Sequence, residues 1–129
     1  MVRGGLVTDE VIRYYANRAK GGAAMVVSEP LGMADEPTQH SPFKTRVWND
    51  DNLDGLKRWA DALEGQDCRL LGQIQHSGRA RHDAGRHAGA VGPSALACDL
   101  SWTMPREMTR DEIRRFIDGV AQSSLRLER

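Results

Sequence analysis

The stretch LLGQIQHSGRARH, Leu70 to His82, decides how the rest of the chain is read. Its first half is apolar at Leu70, Leu71 and Ile74, and its second half turns abruptly into His, Gly and Arg. A short apolar run that ends in a glycine-bearing polar segment reads as a buried strand, here residues 68–74, delivering its end to a loop. The same reading fits AAMVVSE, residues 23–29, as a strand buried on both faces of a parallel sheet. Pro30 is expected to stop that strand, because proline has no N–H to give the ladder. Between the two strands a helix starts near Asp50 and Asp51, with Leu53, Leu56, Ala60 and Leu63 at helical spacing and Gly65 at its end. Upstream, Thr8 caps a first helix along Val11, Ile12, Tyr15 and Ala19, which Gly21-Gly22 closes. Downstream, Thr109 and Glu112 form a capping box ahead of Ile113, Phe116, Ile117 and Val120.

Helix, strand, helix, strand, helix is the alternation of βαβ units, so the fold class is α/β with parallel strands. Two long irregular connections, residues 31–48 and 75–108, follow strands, whereas the short ones follow helices. Functional groups in α/β folds gather on the strand-end side, so this asymmetry is the main functional signal in the pattern. The 129 residues fit one domain, 1–129. Eighteen basic and eighteen acidic side chains cancel, so no global field favours nucleic acid or an anionic membrane. No apolar run approaches the ~20 residues that span a bilayer, and the opening MVRGGLVTDE lacks the apolar core of a leader peptide. Two isolated cysteines, Cys68 and Cys98, suggest a reducing, cytoplasmic setting rather than a disulfide framework. Cys68, at the start of a strand, reads as core packing.

His76, His82 and His87 share a loop with Arg79, Arg81 and Arg86. Their spacing matches no zinc pattern, and three arginines repel a cation, so metal ligation is not expected. The loop reads either as a solvated basic surface or as an anion or cofactor site, where Gly78 and Gly85 allow close backbone approach and arginine forks suit phosphate or carboxylate. Neither a Gly-x-Gly-x-x-Gly nor a Walker sequence is present, so a Rossmann or P-loop site is unsupported. Gln73 and Gln75, two apart on a strand, point the same way. They either pair structurally or read the polar edge of a planar cofactor, and Glu29 poses the same choice. Trp48, Trp59 and Trp102 do not alternate with basic residues as in a nucleic-acid platform. Packing accounts for each, with Trp102 also placed to line a pocket.

Four segments in order, YYANRAKGGAAMVVSEP, LLGQIQHSGR, VGPSA and PREMTRDEI, resemble the old yellow enzyme family of NADH:flavin oxidoreductases. The likeness runs from about Gly5 to the C-terminus. It implies a partial (β/α)8 TIM barrel of about two βα units, lacking the first strand and the C-terminal half, since a full barrel needs ~250 residues. It further implies FMN, with NAD(P)H as reductant and an activated alkene or similar small molecule as acceptor. Gln73 matches the family glutamine whose amide bonds the flavin pyrimidine edge. Glu29 and Pro30 match the strand end beside the flavin, where a proline has no N–H to offer a flavin carbonyl. Arg79 matches a loop-shaping arginine. The family's substrate-holding His-x-x-His or His-x-x-Asn pair is expected on a strand after the C-terminal helix, so the isolated chain is expected to bind FMN weakly and to be inactive. The resemblance leaves room for a homo-oligomer of the full-length enzyme, with no nucleic-acid or membrane partner. A small non-catalytic α/β module, binding an anion or protein through its Arg/His loop, is the alternative.

Overall fold

The computed structural model describes residues 2–34, 44–80, 90–100 and 102–128. Helix α1 (Asp9–Ala19) begins as the sequence expects, with Thr8 Oγ1 accepting from the Val11 N–H and two acidic residues in the first turn. It leads into β1 (Met25–Gly32), then β2 (Thr45–Arg46), one 3-10 turn (Asp50–Asn52) and α2 (Leu53–Glu64). Strand β3 (Arg69–Gln75) follows, then the short β4 (Val91–Gly92) and β5 (Arg106–Glu107), and finally α3 (Arg110–Glu128).

The main sheet has the order β2-β1-β3 with both pairings parallel, and β4 pairs parallel with β5. Two regions expected to be irregular therefore contain ladder: β2 lies in the connection after β1, and β4 and β5 in the one after β3. Two-residue strands carry too little periodicity to announce themselves in sequence.

The core lies between the helices and one sheet face. Val11, Tyr15 and Ala19 of α1 meet Leu56, Trp59 and Leu63 of α2 over Leu31, Val47 and Cys68. Trp59 is fully buried, with its ring centroid 4.7 Å from that of Tyr15. The packing expected of Cys68 is present, since the residue is buried in this cluster. Helix α3 approaches β3 so closely that a Cβ on Gly72 would stand 2.7 Å from Leu127 Cδ1. Among the described residues the opposite sheet face has no covering layer, and Met25, Val27 and Leu71 are 58%, 49% and 52% exposed. Burial on both faces was the expectation for this strand. The described helices cover only one face, and no described residue covers the inner one.

Asn52 is a polar keystone within this packing. Its Oδ1 accepts from the Val7 N–H at 3.0 Å, and its Nδ2 donates to Gly5 O at 3.3 Å and Arg46 O at 3.0 Å. One buried amide thus ties the N-terminal segment, the end of β2 and the start of α2. The sequence reading passed over it for the neighbouring aspartates.

The capping box at α3 forms as its spacing requires. Glu112 Oε2 accepts from the Thr109 N–H at 2.7 Å, and Thr109 Oγ1 accepts from the Glu112 N–H at 3.2 Å. Arg106 adds a fork, donating to both carboxylate oxygens at 2.6 and 2.9 Å. The Arg106 bond above all, with the Thr109 bonds behind it, holds the Glu112 carboxyl down at about 2 from its ordinary 4.5. A depressed carboxyl pKa stabilises the folded form above the unfolded value and ceases to do so as pH falls through the folded one. The first turn of α3 is therefore expected to lose protection from amide exchange between about pH 4.5 and 2. Glu112→Gln should abolish that pH dependence; identical profiles for both proteins would contradict the assignment.

Candidate functional site

The C-terminal ends of β1 and β3 form the candidate site, and a β-bulge organises them. Met25, Val26 and Val27 pair with Arg69, Leu70 and Leu71, but the next register pair is Pro30 with Gln73. Ser28 and Glu29 together therefore oppose Gly72 alone. One extra residue reverses the alternation of faces beyond it. Exposure follows that reversal: Met25, Val27 and Pro30 are exposed, whereas Ser28 and Leu31 are buried under the helices.

This corrects the expectation that Pro30 ends the strand. The strand continues to Gly32, with Leu31 opposite Ile74 and Gly32 opposite Gln75. The bulge accommodates a residue without an N–H because regular pairing is already interrupted there. The Ser28 side chain fills the gap in the ladder: its Oγ accepts from the Gln73 N–H at 2.9 Å and donates to Glu29 O at 2.7 Å. No sequence pattern marked Ser28. Its only signal is a small hydroxyl residue two positions before a proline in a strand.

Gln73 and Pro30 consequently stand opposite each other on the exposed inner face. Glu29 is set apart from them by the bulge. Its Oε1 accepts from Thr45 Oγ1 at 2.6 Å, and Thr45 is fully buried at the start of β2. Behind it, burial first and the Glu29 carboxylate second push the Tyr15 phenol above its ordinary pKa. Gln75, two residues beyond Gln73, is half-buried, and among the described residues its buried Oε1 has no hydrogen-bond partner. A buried amide oxygen without a donor is costly, so this end of β3 suits a ligand that brings an N–H.

The turn after β3 is built by its own side chains. His76 Nδ1 accepts from the Gly78 N–H at 3.0 Å, and its ring meets Phe116 of α3 edge-on at 5.1 Å. Gly78 takes φ +53°, a conformation that glycine adopts without strain. Lys44 Nζ donates to Ser77 Oγ at 3.0 Å, joining this turn to the segment before β2. The Arg79 guanidinium donates to Ala97 O at 2.8 Å. That bond reaches the segment between β4 and β5. Trp102 is exposed, with φ +54°. His82, His87, Arg81, Arg86 and Gly85 lie outside the described residues. Among the described residues no group of His, Cys, Asp and Glu could hold a metal ion, and no helix is long and apolar enough to cross a membrane.

The chain resembles known proteins along nearly its whole length. The chain is 30% identical over 122 residues to an NADPH dehydrogenase of Listeria welshimeri, covering 95% of this chain and 35% of that protein. It is likewise 30% identical over 122 residues to a metal reductase of Desulforamulus reducens, covering 18% of that protein. Morphinone reductase, solved in complex with tetrahydroNAD, superimposes with a TM-score of 0.79 at 23% identity, over 98% of this chain and 39% of that one. The chain thus spans about a third or less of the curated relatives named here, and its fold is part of their kind of (β/α)8 barrel. The model of the NADH:flavin oxidoreductase / NADH oxidase family matches residues 2–126, and the chain belongs to that family.

Proposed function

We propose that this chain forms one wall of an FMN site in an oxidoreductase that takes hydride from NAD(P)H and delivers it to an activated alkene or similar small acceptor. The observation that carries this reading is the pairing of Gln73 with Pro30 on the open inner face, at the strand ends where α/β barrels place their chemistry. A bound flavin supplies a two-electron carrier that accepts hydride from a nicotinamide and passes it on. Its pyrimidine edge presents carbonyl oxygens and an N–H, the complement of a primary amide. The residues present fit that edge. Gln73 is directed to the open face, and the half-buried Gln75 Oε1 lacks a donor among the described residues.

The proposed division of work is local. Gln73 binds and orients the edge. Pro30 gives a flat apolar surface beside it and offers no N–H. Glu29 supports the strand end through Thr45, at the margin of the cofactor. The family match, rather than any contact of the Arg/His loop, disfavours the alternative of an anion-binding module. A balanced net charge gives no support to nucleic acid as a partner, and the family setting favours a cytoplasmic enzyme, with oligomerisation left to the full-length protein.

Among the described residues the inner sheet face is open and the sheet unclosed, so weak FMN binding and no NADH turnover are expected of the chain by itself. The direct test transplants residues 2–126 into the Listeria NADPH dehydrogenase in place of its matching third. A yellow chimera that oxidises NADPH supports the proposal. A folded chimera that takes up no flavin refutes it, as would tight, stoichiometric FMN on the isolated chain for the expected incompleteness.

A further inference from the structure

We infer that Ser28 is the positioning residue for Gln73, acting through the bulge that aligns Gln73 with Pro30. This rests on the flavin reading of Gln73, but its structural content can be tested separately. Ser28 is buried, and its hydroxyl is used in both senses. It accepts from the Gln73 N–H at 2.9 Å and donates to the Glu29 carbonyl at 2.7 Å. Both bonds tie the inserted residue to backbone groups at the bulge. Proline at position 30 cannot donate, and the inserted residue moves the β1 carbonyls out of step with β3. Without the hydroxyl, the bulged register would lose the side-chain bond to the Gln73 N–H that sets it apart from the regular one. The strand would relieve that cost by slipping one residue. A slip would carry Glu29 toward the inner face in place of Pro30 and set a carboxylate opposite Gln73. The hydroxyl therefore selects which side chain accompanies the amide. Alanine cannot supply the bond, threonine can, and cysteine supplies a weaker one.

The test uses the 129-residue chain and nuclear magnetic resonance. In the wild type, cross-strand contacts between Pro30 and Gln73 should be present and the Gln73 amide protected from exchange. Ser28→Ala should lose those contacts and speed Gln73 exchange by at least about tenfold, the loss of one buried hydrogen bond. Ser28→Thr should retain both properties. Val11→Ala, a core truncation remote from the bulge, should lower stability while keeping the Pro30–Gln73 contacts. If Ser28→Ala does not fold, Ser28→Cys should still speed Gln73 exchange relative to serine, because its sulfur is the weaker acceptor. Unchanged contacts and exchange in Ser28→Ala or Ser28→Cys would overturn the inference, as would equal loss in Val11→Ala. Millimolar FMN added to the wild type reads the other premise through the Gln73 side-chain amide signal. If that signal stays still while the Ser28 series behaves as expected, the positioning role stands and the flavin reading of the isolated wall falls.

Discussion

Replacing Asn52 with leucine lowers the stability of the chain by about 3 kcal/mol, because the change keeps volume but removes every hydrogen bond the site needs. Asn52 is 2% exposed and serves the Val7 N–H, Gly5 O and Arg46 O at once. Gly5 O keeps a second donor, the Arg46 N–H at 2.9 Å, so the penalty falls chiefly on Val7 N–H and Arg46 O. Each buried group left unsatisfied costs roughly 1–3 kcal/mol. In a domain whose whole stability is about 5–15 kcal/mol, that is a large share. Asn52→Asp should also destabilise, since it keeps the acceptor for Val7 but turns a second acceptor toward two carbonyls. Thermal and urea melts followed by circular dichroism read both variants. A drop below about 1 kcal/mol in Asn52→Leu would show that the three segments hold together without it.

The second large effect concerns Gln73 in the chimeric dehydrogenase. Gln73→Leu should weaken FMN binding by roughly ten- to a hundredfold, the loss of about 1.5–3 kcal/mol expected when hydrogen bonds to a buried polar edge are removed. The backbone bond from the Gln73 N–H to Ser28 Oγ is unaffected by the side chain, so the fold should persist. Fluorescence titration of the apoprotein with FMN measures the change, and circular dichroism guards against a folding defect. An unchanged dissociation constant in a well-folded variant would remove Gln73 from the site. Thr45→Val offers a contrast. It deletes the donor to Glu29 Oε1 and should lower stability more than it alters FMN affinity, because that contact lies on the β2 side of the bulge.

Much of the architecture was legible in the sequence, for reasons visible in single residues. Thr8 and Thr109 announced their helices because a side-chain oxygen at a cap meets a backbone N–H only a few residues away. Val11, Tyr15, Leu56 and Leu63 declared one face by helical spacing, and that face is the core. The strands around residues 25 and 70 showed as apolar runs, and the side on which both long connections leave them is the side of the candidate site. Gln73 was singled out by the family resemblance of LLGQIQHSGR, since its place in a strand left a structural pairing equally open.

The rest required the tertiary structure, because it depends on partners distant in the chain. Pro30 as a strand terminator is sound local reasoning, but a hydroxyl two residues earlier and an amide 45 positions from that hydroxyl changed the outcome. The face that Glu29 takes followed from that bulge, and no period-2 count across residues 25–32 would have found it. Asn52 was silent because its three partners lie at positions 5, 7 and 46. By itself, then, the sequence determined the helices and the parallel α/β class, set by nearest-neighbour chemistry and periodicity, and its family resemblance pointed to the glutamine near the end of β3. Only the folded chain decided which side chains stand beside that glutamine, since register is a property of two strands brought together and one inserted residue reverses it.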